Sequence, residues 1–138
     1  MWRADLENIA TATDAPYFAR GKAIKLLLKN NDYRLLWSGE GKYCREMLNM
    51  SVKSAYEYIA LSDIYWTLRF HVRPFSKLPS EDHAALLKTI PMHQVAAAWE
   101  SVLYDIRGGP LTLRALQLVC DRFNAANAAA NEVPPSSA

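Results

Sequence analysis

Hydrophobic positions along the chain recur at helical spacing, and no stretch shows the sustained alternation with a period of two that marks a strand. The first clear stripe begins at Asp14-Ala-Pro16, a cap residue with proline in the first turn, which is a common helix start. The prolines, and the glycines other than Gly21, fall at the ends of the stripes or between them. The pattern predicts an all-α fold, with helices over about 14–30, 79–90, 91–106 and 112–123 besides the hairpin described below.

The two ends of the chain lack this pattern. Residues 1–13 show weak periodicity and are predicted to form a separate N-terminal segment. Residues 124–138 are low in complexity and end in Pro-Pro-Ser-Ser-Ala, which predicts a tail that is disordered from about Asn131. The chain has 138 residues, 51% of them hydrophobic, which is enough for one core. We therefore expect a single compact domain of several helices over residues 14–123.

The segment from Lys42 to Ile59 has the spacing of two helices joined by a tight turn. Asn49 tolerates a left-handed backbone in the turn, Ser51 can cap the second helix, and Ala55 is small enough for a helix crossing. This spacing is typical of the DNA-binding helix-turn-helix, and it also fits any helical hairpin. The apolar residues predicted to anchor it are Cys44, Met47, Leu48, Met50 and Ile59. The residues left to face a DNA groove are Ser51, Val52, Lys53, Ser54, Tyr56 and Glu57.

Positive charge is concentrated around this segment. The chain carries 16 Lys and Arg against 14 Asp and Glu, net +2, but residues 20–53 hold eight basic and three acidic residues, net +5. Neutralising phosphates supplies much of the affinity of a DNA-binding protein, although lysines on the backs of helices are often simply solvated. On the DNA hypothesis, Lys53, Ser54 and Glu57 would read base edges, whereas Ser51, Lys42, Arg45, Lys22, Lys25 and Lys29 would hold phosphates. Tyr56 would contact phosphate through its hydroxyl or stack on the preceding helix.

A series of short motifs follows in a recognisable order between Pro16 and Phe123. They are Gly21-Lys-Ala-Ile, Tyr33-Arg34, Tyr43-Cys-Arg-Glu, Met50-Ser with Ala55-Tyr-Glu-Tyr-Ile59, Leu78-Pro79, Gln94-Val-Ala-Ala-Ala-Trp99 and Gly108-Gly-Pro-Leu-Thr112. This order resembles the small all-helical DNA-binding proteins of bacterial phages and plasmids. It is also similar to the central helix-turn-helix region of ParB-type partition proteins. The resemblance implies site-specific recognition of DNA by Ser51 to Glu57, with downstream helices that pack on the reader or mediate self-association.

Candidate catalytic and metal-binding chemistry is sparse. The histidines at 71, 83 and 93 lie about ten residues apart, without the i, i+4 spacing that places two ligands on one helical face. The two cysteines are far apart and belong to no metal-spaced cluster, so both are predicted to be buried hydrophobes. No glycine-rich phosphate loop or strained nucleophile turn is present. We expect no enzymatic activity, no cofactor and no metal site.

A protein–protein interaction module, an adaptor without direct DNA contact, is the alternative function. The predicted helix from Pro91 to Ile106 carries more apolar residues than one inward face requires. Its Trp99, Leu103 and Tyr104 are predicted to contact a second copy of the chain or another protein. A lone helix-turn-helix also gains affinity by dimerising or by joining a larger complex, so the DNA hypothesis covers both a regulator and a DNA-targeting subunit.

Location follows from the absence of sorting signals. The sequence has no run of about 18 apolar residues, and its N-terminus lacks the basic-then-apolar order of a signal peptide. We expect an intracellular protein without membrane contact. It would act in the cytoplasm or nucleoid of a bacterial or phage system, or in the nucleus of a eukaryote.

Overall fold

The computed structural model describes residues 2–30, 32–72 and 75–131, and in these ranges the chain forms helices and no strand. This confirms the predicted all-α class. The helices are α1 (Trp2–Thr11), α2 (Tyr17–Asn30), α3 (Glu40–Glu46), α4 (Val52–Arg69), α5 (Glu81–Leu87), α6 (Val95–Ile106) and α7 (Leu113–Asn131), with short 3-10 helices at Asp32–Leu35 and Met92–Gln94.

The helices group into two compact units, Met1–Arg69 and Phe70–Ala138. The sequence pattern predicted one domain over 14–123. The difference has a simple physical origin, because periodicity indicates which side of a helix is apolar but not which other helix covers that side. The division falls directly after the last residue of α4.

The first unit is built on the contact between α2 and α4. Gly21 lies where they cross, and a β-carbon there would stand 2.2 Å from the backbone oxygen of Tyr58. The Ser62 hydroxyl donates a hydrogen bond to the backbone oxygen of Phe18 at 2.8 Å across the same contact. Helix α1 packs on α2. The Arg20 guanidinium ties the three helices together, since it donates to the backbone oxygen of Ala10 and to the hydroxyl of Tyr58, both at 3.1 Å.

Aromatic side chains hold α3 in the first unit. Tyr43 is fully buried, and its ring stacks on Tyr33 with the ring centres 5.1 Å apart. The Trp37 ring meets Tyr43 edge-on at a similar distance. The Tyr43 hydroxyl donates to the Glu7 carboxylate of α1 at 2.6 Å, and burial together with this bond raises the pKa of Tyr43. Helix α3 is therefore linked to α1 by a buried polar contact.

The second unit contains α5, α6 and α7. Ser80 caps α5, and the bond is reciprocal: the His83 amide donates to the Ser80 hydroxyl, and the Ser80 amide donates to Nδ1 of His83. Thr112 accepts a bond from the Ala115 amide at 3.1 Å, so it caps the last helix as predicted. Helix α5 ends at Leu87 instead of continuing to residue 90, and a 3-10 turn follows Pro91 before α6 begins.

Helices extend into both segments that the sequence pattern left outside the domain. Residues 2–11 form α1, and α7 continues through residues 124–131, where the prediction placed a tail. Alanine-rich sequence extends an existing helix readily because no new nucleation is needed. The Asn127 side chain also exchanges two hydrogen bonds with Gln94, at 2.8 and 2.9 Å, which fixes α7 beyond residue 123. The remaining part of the predicted tail, residues 132–138, lies outside the described residues.

Candidate nucleic-acid interface

The turn between α3 and α4 has the local geometry that its residues predict. Asn49 adopts the left-handed backbone conformation with φ of 55°. The Ser51 hydroxyl accepts a hydrogen bond from the Ser54 amide at 3.1 Å, which caps the start of α4. Ala55 is fully buried. These three local predictions are confirmed, whereas recognition of DNA by the pair of helices stays a prediction.

Most of the predicted anchors of this segment are also buried. Cys44 and Leu48 are in the core, and Met50 and Ile59 pack against it while partly exposed. The prediction was wrong for Met47, whose side chain is 37% exposed. Met47 follows the last residue of α3, and the chain turns there so that Leu48 takes the inward position.

The first two turns of α4 present one polar face. Lys53, Tyr56 and Glu57 are exposed, and the last two follow Lys53 by three and four residues, so each lies next to Lys53 on one side of the helix. Ser54 is half-buried, and its hydroxyl accepts a bond from the Ser51 hydroxyl at 3.1 Å. Ser51 and Ser54 are thus already part of the helix cap. Any contact they make with a ligand would be additional to that structural role.

The predicted phosphate-binding cations differ in whether they already contact another side chain of the protein. Lys42, Arg45 and Lys53 are exposed and form no ion pair within the described parts of the chain, and the same holds for Lys29. Lys25, in contrast, pairs with Asp63 of α4 at 2.8 Å. Lys22 lies over the Trp66 ring, with its ammonium 4.5 Å from the ring centre. These two lysines contribute to the α2–α4 contact, which composition alone does not reveal.

A groove of about 310 Å³ opens between α2, the first 3-10 helix, α3 and α4. Its polar lining consists of Lys25, Lys29, Arg34, Glu40 and Tyr56, and its remaining wall is formed by Leu28, Tyr33 and Ile59. The Tyr56 hydroxyl donates to the Glu40 carboxylate, and this bond raises the pKa of Tyr56 to about 12. Tyr56 thus contacts the preceding helix through its hydroxyl and not by ring stacking.

Sequence reasoning did not assign Arg34 and Glu40 to the site. Arg34 was counted in the basic stretch, but its place beside Lys29 depends on the 3-10 helix that follows α2. Glu40 is the first residue of α3 and meets Tyr56, which lies 16 positions later. Neither placement has a periodic signal, since both result from how the chain folds back between α2 and α4.

The predicted partner surface on α6 needs one correction. Trp99 is fully buried and its indole nitrogen donates to the backbone oxygen of Lys77 at 2.9 Å, so it cannot form a surface contact. It lies on the inward stripe of α6 with Val95 and Val102. Tyr104 is 73% exposed, and Leu103 is partly exposed. Only these last two remain as candidates for the predicted interface.

The cysteines and His83, which were considered for metal or catalytic chemistry, lie in the core or cap a helix. Cys44 and Cys120 are buried and unpaired, and burial raises the pKa of both thiols. His83 is a capping residue, as described above. Within the described ranges, no group of three or more His, Cys, Asp or Glu side chains is arranged to hold a metal ion. Across the same ranges, no helix is both long enough and apolar enough to cross a membrane.

Comparison with known proteins identified no similar protein. The chain matches no protein-family model, no curated protein and no solved structure.

Proposed function

We propose that this protein binds double-stranded DNA through α3, the turn after it and the first two turns of α4. The observation that carries the proposal is a set of exposed cations, Lys42, Arg45 and Lys53, on a segment whose turn and cap are well defined. None of the three forms an ion pair within the described residues, so each can approach a phosphate without first losing a protein partner.

The proposed division of labour follows the positions of these side chains. Lys53 and Glu57 share the exposed face of α4, where a lysine suits the acceptors of guanine and a carboxylate suits the amino group of cytosine. Lys42 and Arg45 on α3 would hold the backbone, together with Lys29 near the end of α2. Lys22 and Lys25 would act as weaker, longer-range charges because each already has a contact within the unit.

The test is a fluorescence-anisotropy titration of a labelled random duplex at several salt concentrations. If about four to six phosphates are neutralised, the logarithm of the association constant should fall against the logarithm of salt with a slope of roughly −4 to −5. The absence of binding at low salt, or binding that does not respond to salt, would refute the proposal.

Single substitutions distinguish residues that recognise bases from residues that contact phosphates. Lys42→Ala should weaken binding to all duplexes and reduce the salt slope by about 1, whereas Lys53→Ala should also relax the preference for a selected sequence. Ser51→Ala is a poor probe, since losing the cap bond destabilises α4 by about 1 kcal/mol. Arg114→Ala is the matched control, because Arg114 is an exposed cation on α7 in the other unit. Equal losses in the Lys42 and Arg114 variants would show that only overall charge matters.

A protein-binding adaptor is the second candidate function, and exposed apolar side chains of the second unit favour it. Tyr104 on α6 is 73% exposed and Leu118 on α7 is 53% exposed. Leu118 borders a groove of about 430 Å³ between these helices. Light scattering of the wild type and of a Tyr104→Ser, Leu118→Ser double variant tests self-association. Association that the variant abolishes, in a protein that does not bind DNA, would favour the adaptor.

A further inference from the structure

The groove beside α4 is lined by more basic side chains than form ion pairs within the first unit. Lys25 and Lys29 lie four residues apart on α2 and both line it, as does Arg34 from the 3-10 helix. Like charges at this spacing repel within a helix. Asp63 forms an ion pair with Lys25 at 2.8 Å. Lys29 and Arg34 have no ion-pair partner in the described ranges. Two exposed cations, Lys29 and Arg34, therefore border one open groove, and neither forms an ion pair with a described residue.

The rest of the lining is partly aromatic and includes one acidic side chain. Tyr33 is buried and stacked on Tyr43, so the wall beside Arg34 is aromatic and held in place. Glu40 is the one acidic side chain of the lining, and the Tyr56 hydroxyl donates to its carboxylate. The lining carries three positive charges and one negative charge, and Asp63 outside the lining pairs with Lys25, which leaves a net charge of +1. An anion fits this balance, and the guanidinium of Arg34 suits an oxyanion that can accept two parallel hydrogen bonds.

We propose that the groove is a binding site for a phosphoryl group, held by Lys29 and Arg34 and assisted by Lys25. A phosphate monoester carries a charge of about −1.5 to −2 and three strong acceptor oxygens, and the arginine fork matches two of them. The group comes either from a free phosphate ester or from the backbone of a bound duplex. Only the second source rests on the proposed function.

The first experiment is a calorimetric titration of the full chain with inorganic pyrophosphate at low and constant ionic strength. The wild type should bind it saturably, and Lys29→Ala and Arg34→Ala should each weaken binding about fivefold, since each removes one exposed charge-assisted contact. Glu40→Gln should tighten binding, because it removes the negative charge of the groove and keeps an oxygen that can accept from Tyr56. Arg69→Ala is the matched control, because Arg69 is an exposed cation at the end of α4 in the same unit, does not line the groove and has no assigned part in DNA binding.

The second experiment repeats the duplex titration with the same variants. If pyrophosphate binds and the groove variants weaken it, the site takes a free phosphate ester. If pyrophosphate does not bind but both groove variants weaken duplex binding and lower its salt slope by about 1 each, the site takes the DNA backbone. Both results support the proposal. The proposal is overturned if neither variant changes the binding of either probe more than Arg69→Ala does.

The two proposals fail in different ways. A wild type that binds pyrophosphate through Lys29 and Arg34 but does not bind duplex DNA would refute the proposed function and leave the groove site standing. If both groove variants bind duplex DNA with the affinity of the wild type, and the wild type does not bind pyrophosphate, the groove site is refuted together with the backbone contact assigned to Lys29. DNA binding through Lys42, Arg45 and Lys53 would still stand. Because Lys29 and Arg34 are exposed, their removal should leave the thermal midpoint of unfolding unchanged within a few degrees.

Discussion

Replacing Gly21 with alanine should destabilise the first unit, although alanine normally favours a helix. The new β-carbon would stand 2.2 Å from the backbone oxygen of Tyr58 and 2.4 Å from the β-carbon of Ser62. An unbonded carbon and oxygen need a separation of more than 3 Å, so α2 and α4 would have to move apart by about 1 Å. The obstructing atoms belong to the backbone and to the stem of a side chain, which cannot rotate away.

The magnitude follows from two opposing terms. Overpacking a close contact costs about 1 to 3 kcal/mol and occasionally more, and a backbone clash belongs at the upper end of that range. Alanine recovers about 1 kcal/mol because it lowers the entropy cost of the helix. Separation of the helices would also strain the bond from Ser62 to the Phe18 backbone. We expect a net loss of about 2 kcal/mol in the free energy of unfolding.

Urea unfolding followed by circular dichroism measures this loss, with Gly41→Ala as the matched control. Gly41 also lies in a helix, but a β-carbon there would meet only the end of the Arg45 side chain at 3.4 Å and a methyl group of Val52 at 3.9 Å. The same substitution should therefore be neutral or stabilising by up to about 1 kcal/mol. A Gly21→Ala protein that is as stable as the wild type would refute the close approach of α2 and α4.

Three further substitutions test other parts of the fold. Arg20→Lys should cost about 1 to 2 kcal/mol by urea unfolding, because one ammonium cannot replace the guanidinium bonds to Ala10 and Tyr58; full stability would contradict their importance. Ala55→Leu should lower the thermal midpoint through overpacking, and an unchanged midpoint would mean that Ala55 has space beside it. Burial lowers the pKa of His83, so its neutral, capping form stabilises the second unit above pH about 6.5, and that contribution is lost as pH falls toward the pKa of the folded state. In unfolding curves at about pH 7.5 and 5.5, His83→Gln should lose less stability on acidification than the wild type, and equal losses would exclude His83 as the source.

Local features of the fold could be predicted from the sequence because they depend on neighbouring residues. Asn49 in the turn, the caps at Ser51 and Thr112, and the buried Ala55 each follow from residue type and short spacing. The all-α class follows from the same kind of evidence, repeated along the chain.

Features that depend on contacts between distant residues could not be predicted. Helix α7 continues past Phe123 partly because Asn127 bonds to Gln94, which lies 33 positions earlier. Trp99 was predicted to lie at an interface, and its burial depends on the residues that pack over α6. The groove combines Lys29, Arg34 and Glu40 from three consecutive elements with α4, and no periodic pattern connects them.

The structure of α4 connects its stability with the proposed contacts to DNA. Tyr58 and Ser62, which lie closest to Gly21, are on the same helix as Lys53 and follow Glu57 along it. A shift of α4 at Gly21 would therefore move the exposed face relative to the cations of α2 and α3. Lys53→Ala removes a proposed DNA contact and leaves this packing intact, so on the proposed function it should weaken DNA binding and leave the free energy of unfolding unaltered. Gly21→Ala should change both DNA binding and the free energy of unfolding. The exposed side of α4 keeps a fixed position against a duplex only if its opposite side stays packed on α2.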